Sequence, residues 1–365
     1  MHLPSPSEST VFLPPRCPVP HCPAHSDPHA FERGFYSRHG SYQPKCRPHR
    51  VPRFKCKQCG KTFSRQTFRA DYCDNKPFLN ATLFKLLASG LGLRQSARIM
   101  GLSRRCTELK ARKISRHLGH LNRNLTDQFH DGCEFMLDEM ETFEGERAVL
   151  PVTVPVLIET GSMFVIATDV ATIKPSGRMS KDRREAIRKA EEQHGPREDR
   201  SANALSRTFR RMRFFCSKVS TVRFSSDKKH LYGRLLRRFF GPHATHRLTS
   251  SKQQRDQTNP LRHINLTNAM ARDLNGRLRR ESWLVSKQRR YLRLQLHVFT
   301  AYRNFIRRRI NRERPTPAQL LGFVKRAATF DELLGWRQDW RGRSIHPMGW
   351  WTDSIEEVRG RVAAA

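Results

Sequence analysis

The chain has 365 residues, with 69 Lys and Arg against 33 Asp and Glu, a formal net charge of +36. That length allows two or three domains with one sizeable core, and that charge attracts polyanions, of which nucleic acid is the commonest large one. No apolar run reaches the roughly 18 residues of a membrane-spanning helix, which argues against a membrane partner.

The start, Met1-His2-Leu3-Pro4-Ser5-Pro6, lacks the basic-then-apolar pattern of a secretion signal. Nine cysteines in such a chain point to thiols and metal rather than disulfides. Residues 1–16 are rich in Pro and Ser and are expected to be disordered. Residues 17–75 then read as a zinc ribbon. Cys56-Lys57-Gln58-Cys59-Gly60 lets two thiolates converge on one ion, with Gly60 permitting the tight turn beneath it. Cys17 and Cys22 complete four thiolates suited to tetrahedral Zn2+. The first pair is loosely spaced, so His21, His25, Cys46 and His49 stand as alternative ligands.

Residues 76–130 read as a helix-turn-helix. Apolar residues recur at helical spacing from Phe78 to Ala88, Gly90 and Gly92 interrupt, and helical spacing resumes at Leu93. Ala97 at a close helix contact, Gly101 in the turn and Ser103 as N-cap describe the motif. A second helix from Arg104 to about Leu118 carries basic residues. Arg94, Arg104, Arg105, Lys110, Arg112 and Lys113 are the candidate contacts to phosphates and base edges of double-stranded DNA. The plain alternative is a helical linker with a solvated basic face.

The catalytic part is expected at 131–312. Phe135-Met136-Leu137 delivers Asp138, Glu139 and Glu141 on a strand. Two further strands follow, Val149–Ile158 and Met163–Ile173, suggesting an antiparallel meander. Pro151 and Pro155 argue that the second is irregular or at an edge. Residues 174–218 form a basic insertion, readable as a solvated helix or as an arm on DNA. Another strand ends at Asp227, followed by a helix from Leu231 to Phe240 and a short strand from Thr245 to Leu248. Asp138 and Asp227 are expected side by side as ligands of a divalent metal. Strand alternation turns Glu139 away from Asp138. A helix from Ile264 to about Arg280 carries Asn265 and Asp273. Basic residues interleaved with Trp283, Tyr291 and Tyr302 follow, and a helical C-terminal tail occupies 313–365.

This order of motifs resembles the DDE transposases of short bacterial insertion sequences that begin with a zinc ribbon and a helix-turn-helix. Arg94-Gln95-Ser96-Ala97-Arg98-Ile99-Met100-Gly101 and the ribbon carry the resemblance most specifically. Asp138-Glu139, Asp227, Asn268 with Arg272, and Ser286-Lys287 extend it, so that it spans Cys17 to about Trp336. It implies an α/β chain with a ribonuclease-H-like core, Mg2+ or Mn2+ in the catalytic site, transfer of transposon-end strands, a homo-oligomer holding two ends, and a cytoplasmic, nucleoid-associated location in a bacterium. The chain departs from the pattern at Asn265, which stands where the family has its glutamate. Asparagine offers a carbonyl oxygen but no charge. Asp273, eight residues on, is the candidate replacement. The competing reading is a catalytically decayed copy or a sequence-specific regulator that only binds.

Overall fold

In the computed structural model the described residues are 12–336, less 28, 31–32, 46–48, 124, 126–128, 147–148, 251, 255, 280–283, 285 and 287. The N-terminus up to residue 11, Cys46, Trp283, Lys287 and the tail beyond 336 therefore lie outside them. The chain divides into two compact units. Of the described residues, one takes in those within 86–96 and 126–327, the other those within 12–85, 97–125 and 328–336.

The unit holding the cysteines contains β1 (Tyr36–Tyr42), β2 (Val51–Cys56) and β3 (Thr62–Ser64), paired antiparallel in that order. Phe35, Phe54, Phe63 and Phe68 pack with Cys17, Cys22 and Cys56 into one small core. The helices α1 (Asn80–Ala88), α2 (Leu93–Met100) and α3 (Arg104–Arg123) follow. Gly101, at φ +61°, ends α2 in the left-handed region that favours glycine, and Leu102 N–H donates to Ala97 O at 3.0 Å. Ser103 Oγ then accepts from Cys106 N–H at 3.2 Å, the expected N-cap of α3. Ile114, Leu118 and Leu121 form the buried stripe of α3, which runs five residues past its expected end at Leu118.

The other unit is built on a six-stranded mixed sheet. Its strands are β4 (Glu134–Phe143), β5 (Pro151–Glu159), β6 (Val165–Thr168), β7 (Ala171–Thr172), β8 (Val222–Asp227) and β9 (Ala244–Thr249). The order is β6-β5-β4-β8-β9, with β7 pairing β5 beside β6. Pairs among β4, β5, β6 and β7 are antiparallel; β4–β8 and β8–β9 are parallel. The helices of this unit are α4 (Lys181–His194), α5 (Ser201–Phe215), α6 (His230–Phe240), α7 (Arg262–Asp273), α8 (Arg289–Phe305) and α9 (Pro317–Leu320). Met136, Met140 and the even-numbered residues of β5 form a core with Ile264 and Ala271 of α7 and Leu292, Leu296 and Phe299 of α8. On the opposite face Phe209 of α5 packs on Phe224 of β8 at 5.4 Å between ring centroids. The last helix, α10 (Phe330–Gly335), belongs to the cysteine-bearing unit, where it packs against α3.

Four sequence expectations change here. First, of the two options for the second strand the edge is excluded: β5 is interior, and its pairing with β6 shifts register between Leu157 and Ile158. Asp169 N–H reaches Pro155 O at 3.3 Å, so the side of Pro155 that lacks an N–H faces β6 and β7. There the neighbouring strand is broken, between Thr168 and Ala171, and no donor is needed. Second, that same break divides the expected strand 163–173 into β6 and β7, with Asp169 Oδ1 accepting from Val170 N–H at 2.7 Å in the bend. Third, the basic insertion is two different things. Nothing in α4 is buried, whereas α5 buries Ala204, Leu205, Phe209, Met212 and Phe215 and belongs to the core. α7 stops at Asp273 rather than near Arg280, because Asn275 Oδ1 takes the N–H of Arg277 in a turn.

Candidate functional site

The four cysteines converge. Cys17 and Cys22 come from the loop before β1, Cys56 ends β2, and Cys59 follows in the turn closed by Gly60 N–H to Cys56 O at 3.0 Å. Gly60 has φ +69°, as the tight turn requires. The Sγ atoms of Cys17 and Cys59 are 3.5 Å apart, those of Cys22 and Cys56 3.7 Å, and all four lie within 4.8 Å of one another. Tetrahedral zinc with Zn–S bonds of about 2.3 Å needs sulfurs about 3.8 Å apart, so the set fits. None of the four is in a disulfide. Burial pushes the thiols of Cys17 and Cys22 above their ordinary range, and a cation among them reverses that preference. Of the alternative ligands, His25 Nε2 is instead bonded to Val19 O at 2.8 Å.

The acidic pair sits at the centre of the sheet. β4 and β8 pair in register, Glu134 with Arg223, Phe135 with Phe224 and Met136 with Ser225. The pairing ends there, and Asp138 and Asp227 each follow two residues beyond the last pair, at the same offset of 89 (225 − 136 = 89, 227 − 138 = 89), on adjacent parallel strands. Asp138 lies between Met136 and Met140 on the face covered by α7 and α8. Its Oδ1 accepts from Glu139 N–H and its Oδ2 from Asn268 Nδ2 of α7, both at 2.8 Å. Asp227 Oδ1 accepts from Lys229 N–H at 3.1 Å, and Ser226 Oγ bridges Asp227 O and His246 Nε2, 2.8 Å from each.

Glu139 faces the other way, as strand alternation requires. Thr153 Oγ1 donates to its Oε1 at 3.0 Å, Tyr232 Oη donates to its Oε2 at 2.9 Å, and Lys229 Nζ pairs with it as well. The Tyr232 phenol is pushed far up by burial first, then by the negative fields of Glu139, Asp227 and Asp138. It therefore stays a proton donor, and all three acids act on that one hydroxyl.

On α7, Asn268 is the residue that meets Asp138. Asn265, one turn earlier, is half-buried. Asp273 is exposed at the end of the helix. Five residues separate it from Asn268, about 140° around the axis, so its carboxylate leaves α7 on a different side from the one touching Asp138. Asn268 had a signal in the sequence: it is the amide in the stripe Ile264, Thr267, Asn268, Ala271, all buried. Tyr232 and Lys229 had none, since their partner Glu139 is about 90 residues away.

The basic candidates of the helical region divide. Arg94, Arg104 and Arg105 are exposed, and Arg112 is half-buried. Lys110 is a correction: it is buried, with Nζ 2.6 Å from both carboxylate oxygens of Asp74, 2.8 Å from Lys76 O and 3.0 Å from Asn80 Oδ1. An ammonium whose donors are all taken inside the fold has none to offer a phosphate. Lys113 is half-committed in the same way, donating to Tyr72 O and Cys73 O. Among the described residues no helix is long and apolar enough to cross a membrane. No protein-family model matches the chain, and no curated protein matches it.

Proposed function

We propose that the chain is a DDE-type transposase, binding double-stranded DNA at the ends of an insertion sequence through residues 17–118 and cutting and rejoining strands at Asp138 and Asp227. The observation that carries this reading is that the two aspartates each stand two residues beyond the last β4–β8 pair on adjacent parallel strands, in a strongly basic chain. The strand order supports it: three antiparallel strands, then two parallel ones, with helices on both faces, is what a ribonuclease-H-like core requires. The four-cysteine cluster supports a zinc ribbon, and the exposed arginines Arg94, Arg104 and Arg105 support a DNA-gripping role for the helical region. A homo-oligomer holding two ends, at the bacterial nucleoid, belongs to the same reading.

When bound, a pair of Mg2+ or Mn2+ ions activates a water or 3′-hydroxyl and stabilises the leaving oxygen at phosphorus. Asp138 and Asp227 offer the hard oxygen ligands such ions take. The Asn268 amide fixes the rotation of the Asp138 carboxylate. Glu139, neutralised by Lys229 and hydrogen-bonded by Tyr232, contributes from the opposite face as a support of that framework.

The test is nicking of a plasmid carrying the DNA that flanks the gene, with Mg2+ or Mn2+. Wild type should release nicked ends, while Asp138→Asn and Asp227→Asn bind the same DNA and cut nothing. Equal cleavage by mutant and wild type rejects the reading. A binding-only protein, either a decayed copy or a regulator, is favoured by one feature, the uncharged Asn265 where the resemblance expects glutamate. Metal-dependent cutting by the intact chain disposes of that alternative.

A further inference from the structure

Asn268 is 4% exposed, and its Nδ2 donates to Asp138 Oδ2. A carboxylate only accepts, so the amide's orientation is determined: Nδ2 must face Asp138, and the other end is the carbonyl. That carbonyl oxygen, Oδ1, is fully buried and has no hydrogen-bond partner among the described residues. An interior acceptor left without a donor is unfavourable, and one beside a carboxylate of the central pair is where a cation fits in place of a donor. Both amide atoms sit on Cγ, so Oδ1 stays close to the Asp138 oxygen that Nδ2 contacts, and an ion on that side of the carboxylate can meet it. Hard divalent cations accept amide carbonyls as ligands alongside carboxylates.

We infer that Asn268 Oδ1 is the third protein ligand of the divalent cation held by Asp138 and Asp227, a neutral oxygen supplied by α7. This rests on the metal-dependent reading above and replaces Asp273 and Asn265 in it. Asn268 has two tasks, one for each end of its amide: Nδ2 aims the Asp138 carboxylate, and Oδ1 binds the ion. The centre then carries two formal negative charges from its ligands rather than three.

The experiment titrates Mn2+ alone into the zinc-loaded full-length protein, following the free-ion electron paramagnetic resonance signal, with thermal unfolding in parallel. Wild type should bind Mn2+ in a site that Asp138→Asn abolishes. Asn268→Ala should weaken that site about 10- to 100-fold. Asn268→Asp keeps an oxygen at the position but replaces the Nδ2 donor with a second negative charge against Asp138, so it should be less stable than wild type without metal and show a larger rise in Tm on adding Mn2+. If wild type binds no more Mn2+ than Asp138→Asn, the metal-dependent reading itself fails. If wild type binds and a folded Asn268→Ala binds equally well, Asn268 is only a structural partner of Asp138 and the inference is overturned alone. Should the alanine variant not fold, a rise in Tm on adding Mn2+ that is no larger for Asn268→Asp than for wild type overturns it instead.

Discussion

Lys110 and Asp74 form an ion pair at 2.6 Å with both side chains only 6% exposed, in the unit that also carries the cysteine cluster. Breaking a buried pair strands the surviving charge, which costs about 3–5 kcal/mol. Lys110→Ala should therefore lower stability by roughly that amount in urea unfolding. The protein that remains folded should bind DNA with unchanged affinity. Arg104→Ala and Arg105→Ala, at exposed positions, should do the reverse: folding stays intact, DNA affinity falls, and the salt dependence of binding shallows by about one phosphate contact each.

Zinc should be an integral part of the cysteine-bearing unit. The purified protein should contain about one zinc ion per chain, and Cys56→Ser should lose it. Because the sheet β1–β3 has only a small aromatic core, chelation should unfold it while the six-stranded sheet persists. Hydrogen exchange after chelator treatment checks this: protection should vanish in 36–64 and remain in 134–159.

His117 predicts a pH dependence. It is buried, with Nε2 donating to Leu333 O at 3.0 Å and its ring 5.7 Å from that of Trp336. Burial lowers its pKa from the ordinary 6.5 to about 4. The unfolded chain thus takes up a proton below pH 6.5 that the folded chain refuses. The stabilisation is fully present above 6.5 and is lost as the pH falls towards 4, a difference of about 3 kcal/mol. His117→Gln, which retains a donor for Leu333, should flatten this part of the stability profile relative to wild type in denaturant titrations between pH 7 and 4.

Gly276 and Gly90 approach so closely that neither tolerates a side chain. A Cβ at 276 would lie 2.8 Å from Gly90 O and 2.5 Å from Leu284 Cδ1, and Gly90 itself has φ +79°. Gly276→Ala should cost about 1–3 kcal/mol by overpacking. Gly335→Ala, where a Cβ meets nothing within 4 Å, is the control and should be near neutral in the same thermal melt.

Features confined to a short stretch were legible from the residues. Cys56, Cys59 and Gly60 form their turn by local backbone geometry, Ser103 caps a helix three residues away from its partner, and alternation alone turns Glu139 from Asp138. Basic composition, however, does not reveal which cations are spent internally. Lys110 reads like its exposed neighbours until Asp74, 36 residues back, is seen beneath it. Likewise α5 is as arginine-rich as α4, and only its packing on the sheet separates them.

By itself the sequence determined the local elements, the cysteine set and the strong positive charge, because spacing, turn chemistry and composition act over a few residues or over the whole surface. Tertiary structure alone decided that Pro155 lies in an interior strand opposite a broken neighbour, that Asn268 rather than Asp273 meets Asp138, and that Lys110 is enclosed. Each of those outcomes depends on which distant segment is packed alongside, and hydrogen-bond satisfaction in a buried site is settled only once that neighbour is in position.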